Sequence, residues 1–163
     1  MYVTPQQLSF VVRKALDDVK IVDVHTHLFA AEFGGLALYG IDELLTYHYL
    51  VAEFFRFSSM EYAAFFELPK TRQADLIWQT LFIDRSPISE AQRGVLTVLN
   101  ALGLDPKAHS LQEIRNYYAT KSIHQLIDIV FELAGVKEVV MTNDPFDPQE
   151  RKFWETGVGG VDP

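Results

Sequence analysis

Two histidines separated by one residue, His25 and His27, are the side chains here with the clearest capacity for chemistry. They lie in the run Lys20-Ile21-Val22-Asp23-Val24-His25-Thr26-His27-Leu28, whose β-branched residues and alternation predict a short strand. Extended backbone sends alternate side chains to one side. Asp23, His25 and His27 therefore share a face, and Val22, Val24, Thr26 and Leu28 share the other. Neutral imidazole suits zinc, iron, nickel and manganese to differing degrees, so the pair can hold a divalent cation. A catalytic zinc needs about three protein ligands and an open position, and Asp23 can be a ligand or orient one. The plainer alternative is two inert polar residues, hydrogen-bonded at a strand end. With no cysteine in the chain, a metal here must be held by His, Asp or Glu.

Tyr47-His48-Tyr49 is the second candidate. A histidine with a shifted pKa, or a positioned tyrosine hydroxyl, can move protons. By spacing His48 falls within an apolar helical stripe and is expected to turn inward, where a buried histidine satisfied by one hydrogen bond is the more ordinary role. Asn143, Asp144 and Asp147 follow a second predicted strand. In α/β folds that position faces the ligand, but the same residue types are turn formers, and both readings stand. Arg85 and Arg93 can each pair with a substrate carboxylate; a surface ion pair, such as Glu90 with Arg93, is the more ordinary use. The aromatic cluster Phe54, Phe55, Phe57, Tyr62, Phe65 and Phe66 reads as core, or in part as an exposed interface.

The elements that must position these residues follow from punctuation and periodicity. Thr4 as N-cap and Pro5 at the first helical position, with Leu8, Val11, Val12 and Leu16 at helical spacing, predict a helix over residues 4–18. Residues 29–40, with three glycines, read as a loop. From Ile41 the pattern is helical. Ile41, Leu44, Leu45, His48, Val51, Ala52 and Phe55 form one stripe, and further helices fit 60–68, 69–82, 88–102, 111–120 and 123–134. Gly135 ends the last of them, a strand follows over 137–142, then a polar loop, a short helix near Pro148 and a glycine-rich tail. The predicted organisation is an N-terminal helix, strand and loop over 1–40, a helical block over 41–135, and a second strand, loop and tail over 136–163. Two strands about a hundred residues apart make no stable sheet alone, so the expectation is that something is missing or that they pair outside this chain.

Composition bounds the function classes. The 163 residues are 48% hydrophobic and 13% aromatic, a globular composition rather than a disordered one. The net charge of −8, with no basic block, argues against a nucleic-acid partner but not against an anionic small molecule. No apolar run is long enough to span a bilayer and no signal-peptide layout opens the chain, so no membrane partner and a cytoplasmic location are expected.

Asp23-Val24-His25-Thr26-His27-Leu28-Phe29 resembles the first-strand metal motif of the amidohydrolase superfamily. Residues 41–53, Gln73-Ala74-Asp75-Leu76-Ile77-Trp78, Arg85-Ser86-Pro87-Ile88-Ser89-Glu90 and Met141-Thr142-Asn143-Asp144-Pro145-Phe146-Asp147 resemble its uronate isomerase branch. The resemblance implies an α/β fold, a (β/α)8 TIM barrel with a helical insertion after its first strand, of which this mostly α-helical chain supplies two short barrel strands. It implies aldose–ketose isomerisation of hexuronates, D-glucuronate or D-galacturonate. It also implies a divalent metal, zinc by preference, on His25 and His27, with His48 and Tyr49 as the substrate-facing pair that transfers the proton. Asn143 and Asp144 match the end of the second strand, as substrate-binding candidates, and a homo-oligomer is compatible. Such a barrel needs about 250 residues, and the family's last-strand Asp ligand and downstream Arg have no counterpart here. An N-terminal portion with an incomplete, inactive site is therefore expected. Two rival readings are a metal-dependent hydrolase of the same superfamily, which shares the His-x-His strand, and a non-catalytic helical interaction module.

Overall fold

The structure is a computed structural model and describes residues 4–26, 28–142, 144 and 146–155. These residues form two compact units, one from Met1–Ala37 with His124–Pro163 and one from Leu38–Ile123.

In the first unit, α1 (Pro5–Asp18) begins as the sequence predicts. The Thr4 hydroxyl accepts the Gln7 N–H, and the Gln7 side chain accepts the Thr4 N–H, so two orphan donors of the first turn are satisfied reciprocally. No residue of α1 is buried. Strand β1 (Ile21–Thr26) pairs in parallel with β2 (Val136–Met141), with Ile21 opposite Val136 and Thr26 opposite Met141. The two strands pair with each other, with no third strand among the described residues, and α8 (Ile123–Ala134) directly precedes β2. Gly135 makes the change from helix to strand at φ +65°, where a side chain would be strained, and its carbonyl accepts the Ile21 N–H at 3.0 Å. Residues 29–40 are not all loop. A 3-10 turn over Ala31–Leu36 places the fully buried Phe33 against Phe29, Phe153 and Trp154, with ring centroids 5.1–5.3 Å apart. The last two belong to α9 (Arg151–Glu155).

The second unit is all helical: α2 (Ile41–Leu45), α3 (His48–Phe55), α4 (Tyr62–Phe66), α5 (Lys70–Trp78) widening into a π turn over Gln79–Ile83, α6 (Glu90–Ala101) and α7 (Gln112–Ala119). Its core gathers Ile41, Leu45, Phe54, Phe65, Ile77, Trp78, Leu81, Leu99 and Ile114 from every one of these helices. Burying such side chains is the main favourable term for folding, about 1.5–3 kcal/mol each. The single stripe expected from Ile41 to Phe55 is corrected: the helix breaks at Thr46-Tyr47 and restarts, so α3 buries Leu50 and Phe54. Polar ties lock the same helices. Arg115 on α7 donates Nε and Nη2 to both carboxylate oxygens of Asp42 on α2 at 2.8–3.1 Å, and Nη2 also to Asp75 on α5 at 2.7 Å. Lys70 pairs with Glu43.

Candidate functional site

In a parallel pair the carboxyl ends of both strands lie at the same edge, which is where parallel sheets present ligand-binding groups. Here that edge is fixed by the Thr142 hydroxyl, which donates to the Thr26 carbonyl at 3.1 Å. His25 is the next-to-last residue of β1, and its side chain is exposed. Its backbone N–H donates to Asp23 Oδ1 at 3.0 Å, so Asp23 shapes the strand end. His27 lies outside the described residues, as does Asn143. Asp144, just past β2, is exposed; its carboxylate accepts the Phe146 N–H at 2.9 Å and its carbonyl accepts the Asp147 N–H at 3.1 Å. Asp147 Oδ1 in turn accepts the N–H groups of Gln149 and Glu150. Turn formation is therefore a role these two carboxylates fill.

His48 and Tyr49 belong to the helical unit. Because the chain breaks at Thr46-Tyr47, they form the first turn of α3 and both are exposed. The inward-turned His48 expected from one continuous helix is corrected: the break shifts the buried face to Leu50 and Phe54. Tyr47, His48 and Tyr49 keep their rings together, at 4.3 Å, 4.1 Å and 5.7 Å between centroids. His48 also borders a cleft of about 410 Å³ between α3 and α4, lined with Thr46, Val51, Ala52, Phe55, Tyr62 and Phe66. The aromatic cluster is accordingly split. Phe54 and Phe65 are core, whereas Phe57, Tyr62 and Phe66 are exposed.

Arg85 lies with its guanidinium 3.9 Å over the Phe57 ring, a cation–π contact. The ion pair expected between Glu90 and Arg93 is not among those of the described residues. Sequence reasoning missed Glu53 on α3, whose Oε2 accepts from Ser89 Oγ at 2.9 Å and Gln92 Nε2 at 2.8 Å. The Ser89-x-x-Gln92 spacing of a capping box was the available signal.

No family model matches the chain, and neither does any curated protein. Among solved structures, a uronate isomerase from Bacillus halodurans C-125 matches it with a TM-score of 0.92 and 50% sequence identity over 96% of this chain. The chain is a relative of the uronate isomerases. It spans 37% of that uronate isomerase's length. The resemblance drawn from the motif segments holds at the level of the family. The fold seen in this chain is the mostly helical one with two short parallel strands.

Uronate isomerase kinship makes the donor chemistry at β1 the point to weigh for a metal. An exposed imidazole at the carboxyl end of a parallel strand, two positions from a second histidine in sequence, fits a borderline divalent ion of the zinc type. Among the described residues no three His, Asp or Glu side chains gather into a closed ligand set. Among them, too, no helix is long and apolar enough to cross a membrane.

Proposed function

We propose that this chain forms the first part of a metal-dependent uronate isomerase, interconverting the aldose and ketose forms of a hexuronate such as D-glucuronate or D-galacturonate. The observation that carries the reading is half-identity to a uronate isomerase along nearly the whole of a chain that holds both candidate pairs. On this reading β1 and β2 are the first two strands of a (β/α)8 barrel, and residues 41–135 are a helical insertion between them.

His25 and His27 would hold the divalent cation, zinc by preference, which when bound polarises a substrate oxygen. The chain's own residues do the rest. Aldose–ketose isomerisation moves a proton between C2 and C1, and this needs an acid–base group near both carbons. The Tyr49 hydroxyl and the His48 imidazole have the right chemistry, and their exposure on the first turn of α3 leaves them open to a substrate. Asn143 and Asp144 are assigned to the sugar hydroxyls, as hydrogen-bonding groups past the end of β2.

The test is turnover of D-glucuronate and D-galacturonate by the complete protein, beside amide and ester substrates. Isomerisation without hydrolysis is expected, and hydrolysis alone would replace this reading with the hydrolase one. Tyr49→Phe is expected to lower kcat by about 10²- to 10⁴-fold; unchanged turnover would remove Tyr49 from the mechanism. The 163 residues alone, of verified intact mass, should turn over little, because two imidazoles fall short of the roughly three ligands a catalytic zinc needs.

A further inference from the structure

The helix that carries His48 and Tyr49 has no side-chain cap at its start. Tyr47 occupies the N-cap position in extended conformation with no side-chain hydrogen bond to the helix. Its carbonyl accepts the N–H groups of Leu50 and Val51 at 3.0 Å and 3.2 Å. Two side chains that must reach one substrate need a fixed backbone beneath them.

A constraint is supplied farther along α3. Glu53 Oε2 receives two hydrogen bonds, from Ser89 Oγ at 2.9 Å and from Gln92 Nε2 at 2.8 Å. These donors belong to the capping box of α6, in which Ser89 Oγ accepts the Gln92 N–H at 3.1 Å and Gln92 Oε1 accepts the Ser89 N–H at 3.3 Å. Each side chain therefore turns an acceptor to the helix end and a donor to the same carboxylate oxygen. Capping α6 does not require Glu53, since the reciprocal box is complete without it. What the carboxylate adds is a charge-assisted tie between two helices at a site where Gln92 is only 5% exposed. Glu53 lies four residues after Tyr49, on the same face of α3 and one turn on. The oxygen that binds α6 thus fixes the rotation of α3 directly beneath Tyr49.

We propose that Glu53 is a positioning residue for the His48–Tyr49 pair, holding the first turn of α3 in one orientation by clamping that helix to the capped end of α6. This rests on the reading of His48 and Tyr49 as the proton-transfer pair. Glu53 itself touches no substrate in this scheme.

Glu53→Ala removes the acceptor, whereas Glu53→Gln keeps a carbonyl able to accept both bonds. In the complete protein, Glu53→Ala should lower kcat for uronate isomerisation by about 10- to 100-fold. KM should stay within about twofold, because ground-state binding is untouched, and Glu53→Gln should recover most of the loss. A second readout does not depend on turnover. Amide hydrogen exchange at Leu50 and Val51 should quicken by about tenfold or more in Glu53→Ala and return in Glu53→Gln, with the amides of α5 unchanged. The proposal is overturned if Glu53→Ala leaves that exchange unchanged, if α5 quickens equally, which marks general destabilisation, or if Ala and Gln lower kcat alike. Tyr49→Phe and His48→Asn run in parallel separate the two ideas. Full activity in both removes the proton-transfer reading, while the exchange result still decides the clamp.

Discussion

Tyr118 and Arg115 sit three residues apart on α7 and meet opposite demands. The Arg115 guanidinium is held charged above its ordinary range, first by its hydrogen bonds to Asp42, against the cost of desolvation, and then by Asp75. That raised value lies beyond any working pH, so the network it anchors has no titration of its own arginine near neutrality. Tyr118 packs against the helical core, and burial, then the neighbouring Tyr117, pushes its hydroxyl above the usual tyrosine value. The sign follows from linkage. The folded chain keeps this proton where the unfolded chain, titrating near pH 10, has begun to lose it. The stability tied to Tyr118 is whole below about pH 10 and drains away as pH rises toward the higher folded value. Urea midpoints should therefore fall as pH rises above about 10, and Tyr118→Phe should show a smaller fall. Parallel falls in the two proteins would mean that another group governs the alkaline limit.

At the scale of elements, two leucines show how unevenly the helices contribute. Leu99 on α6 is fully buried in the helical core, while Leu16 on α1 is 69% exposed. Leu99→Ala should cost about 2–5 kcal/mol through lost burial and the cavity left behind, whereas Leu16→Ser should stay within about 0.5 kcal/mol. Chemical denaturation of the two variants checks this, and comparable losses would mean that α1 is covered in solution. The helix starts, the strands and the Gly135 junction were legible because each is written locally: a Thr-Pro cap, strict alternation from Val22 to Thr26, one glycine at positive φ. The break before His48 was not, since no proline or glycine marks it. There Thr46 turns both its N–H and its hydroxyl onto the Asp42 carbonyl, and packing of Leu50 and Phe54 selects a new buried face. The same limit applies to the candidate site. Histidines at spacing two announce themselves on a strand, but Glu53 meets Ser89 and Gln92 across 36 and 39 residues, a pairing that only the folded helices create.

Across the whole molecule, the two units differ in how their backbone is protected. In the helical unit, α5 and α6 carry their hydrogen bonds internally and press Ala74, Ile77, Trp78, Val95 and Leu99 into a shared core. Opening them exposes that core, so their amides should exchange only through transitions close to global unfolding. The β1–β2 pair has no third strand among the described residues, and its ladder carries register shifts after Ile21 and between Asp23 and Thr26. Val22, Val24 and Val140 remain about half exposed or more. A two-stranded sheet is marginal by itself, and each strand presents an unpaired edge to solvent or to another chain. Opening it exposes little that is not exposed already. Hydrogen exchange of the 163-residue chain as a monomer should therefore find the slowest amides in α5 and α6, with β1 and β2 exchanging faster by about tenfold or more. Strand amides as slow as those of α5, at a concentration where the chain is monomeric, would show that the pair is stabilised by something other than its own ladder. Slow strands that quicken on dilution would instead show that a second copy covers the edge.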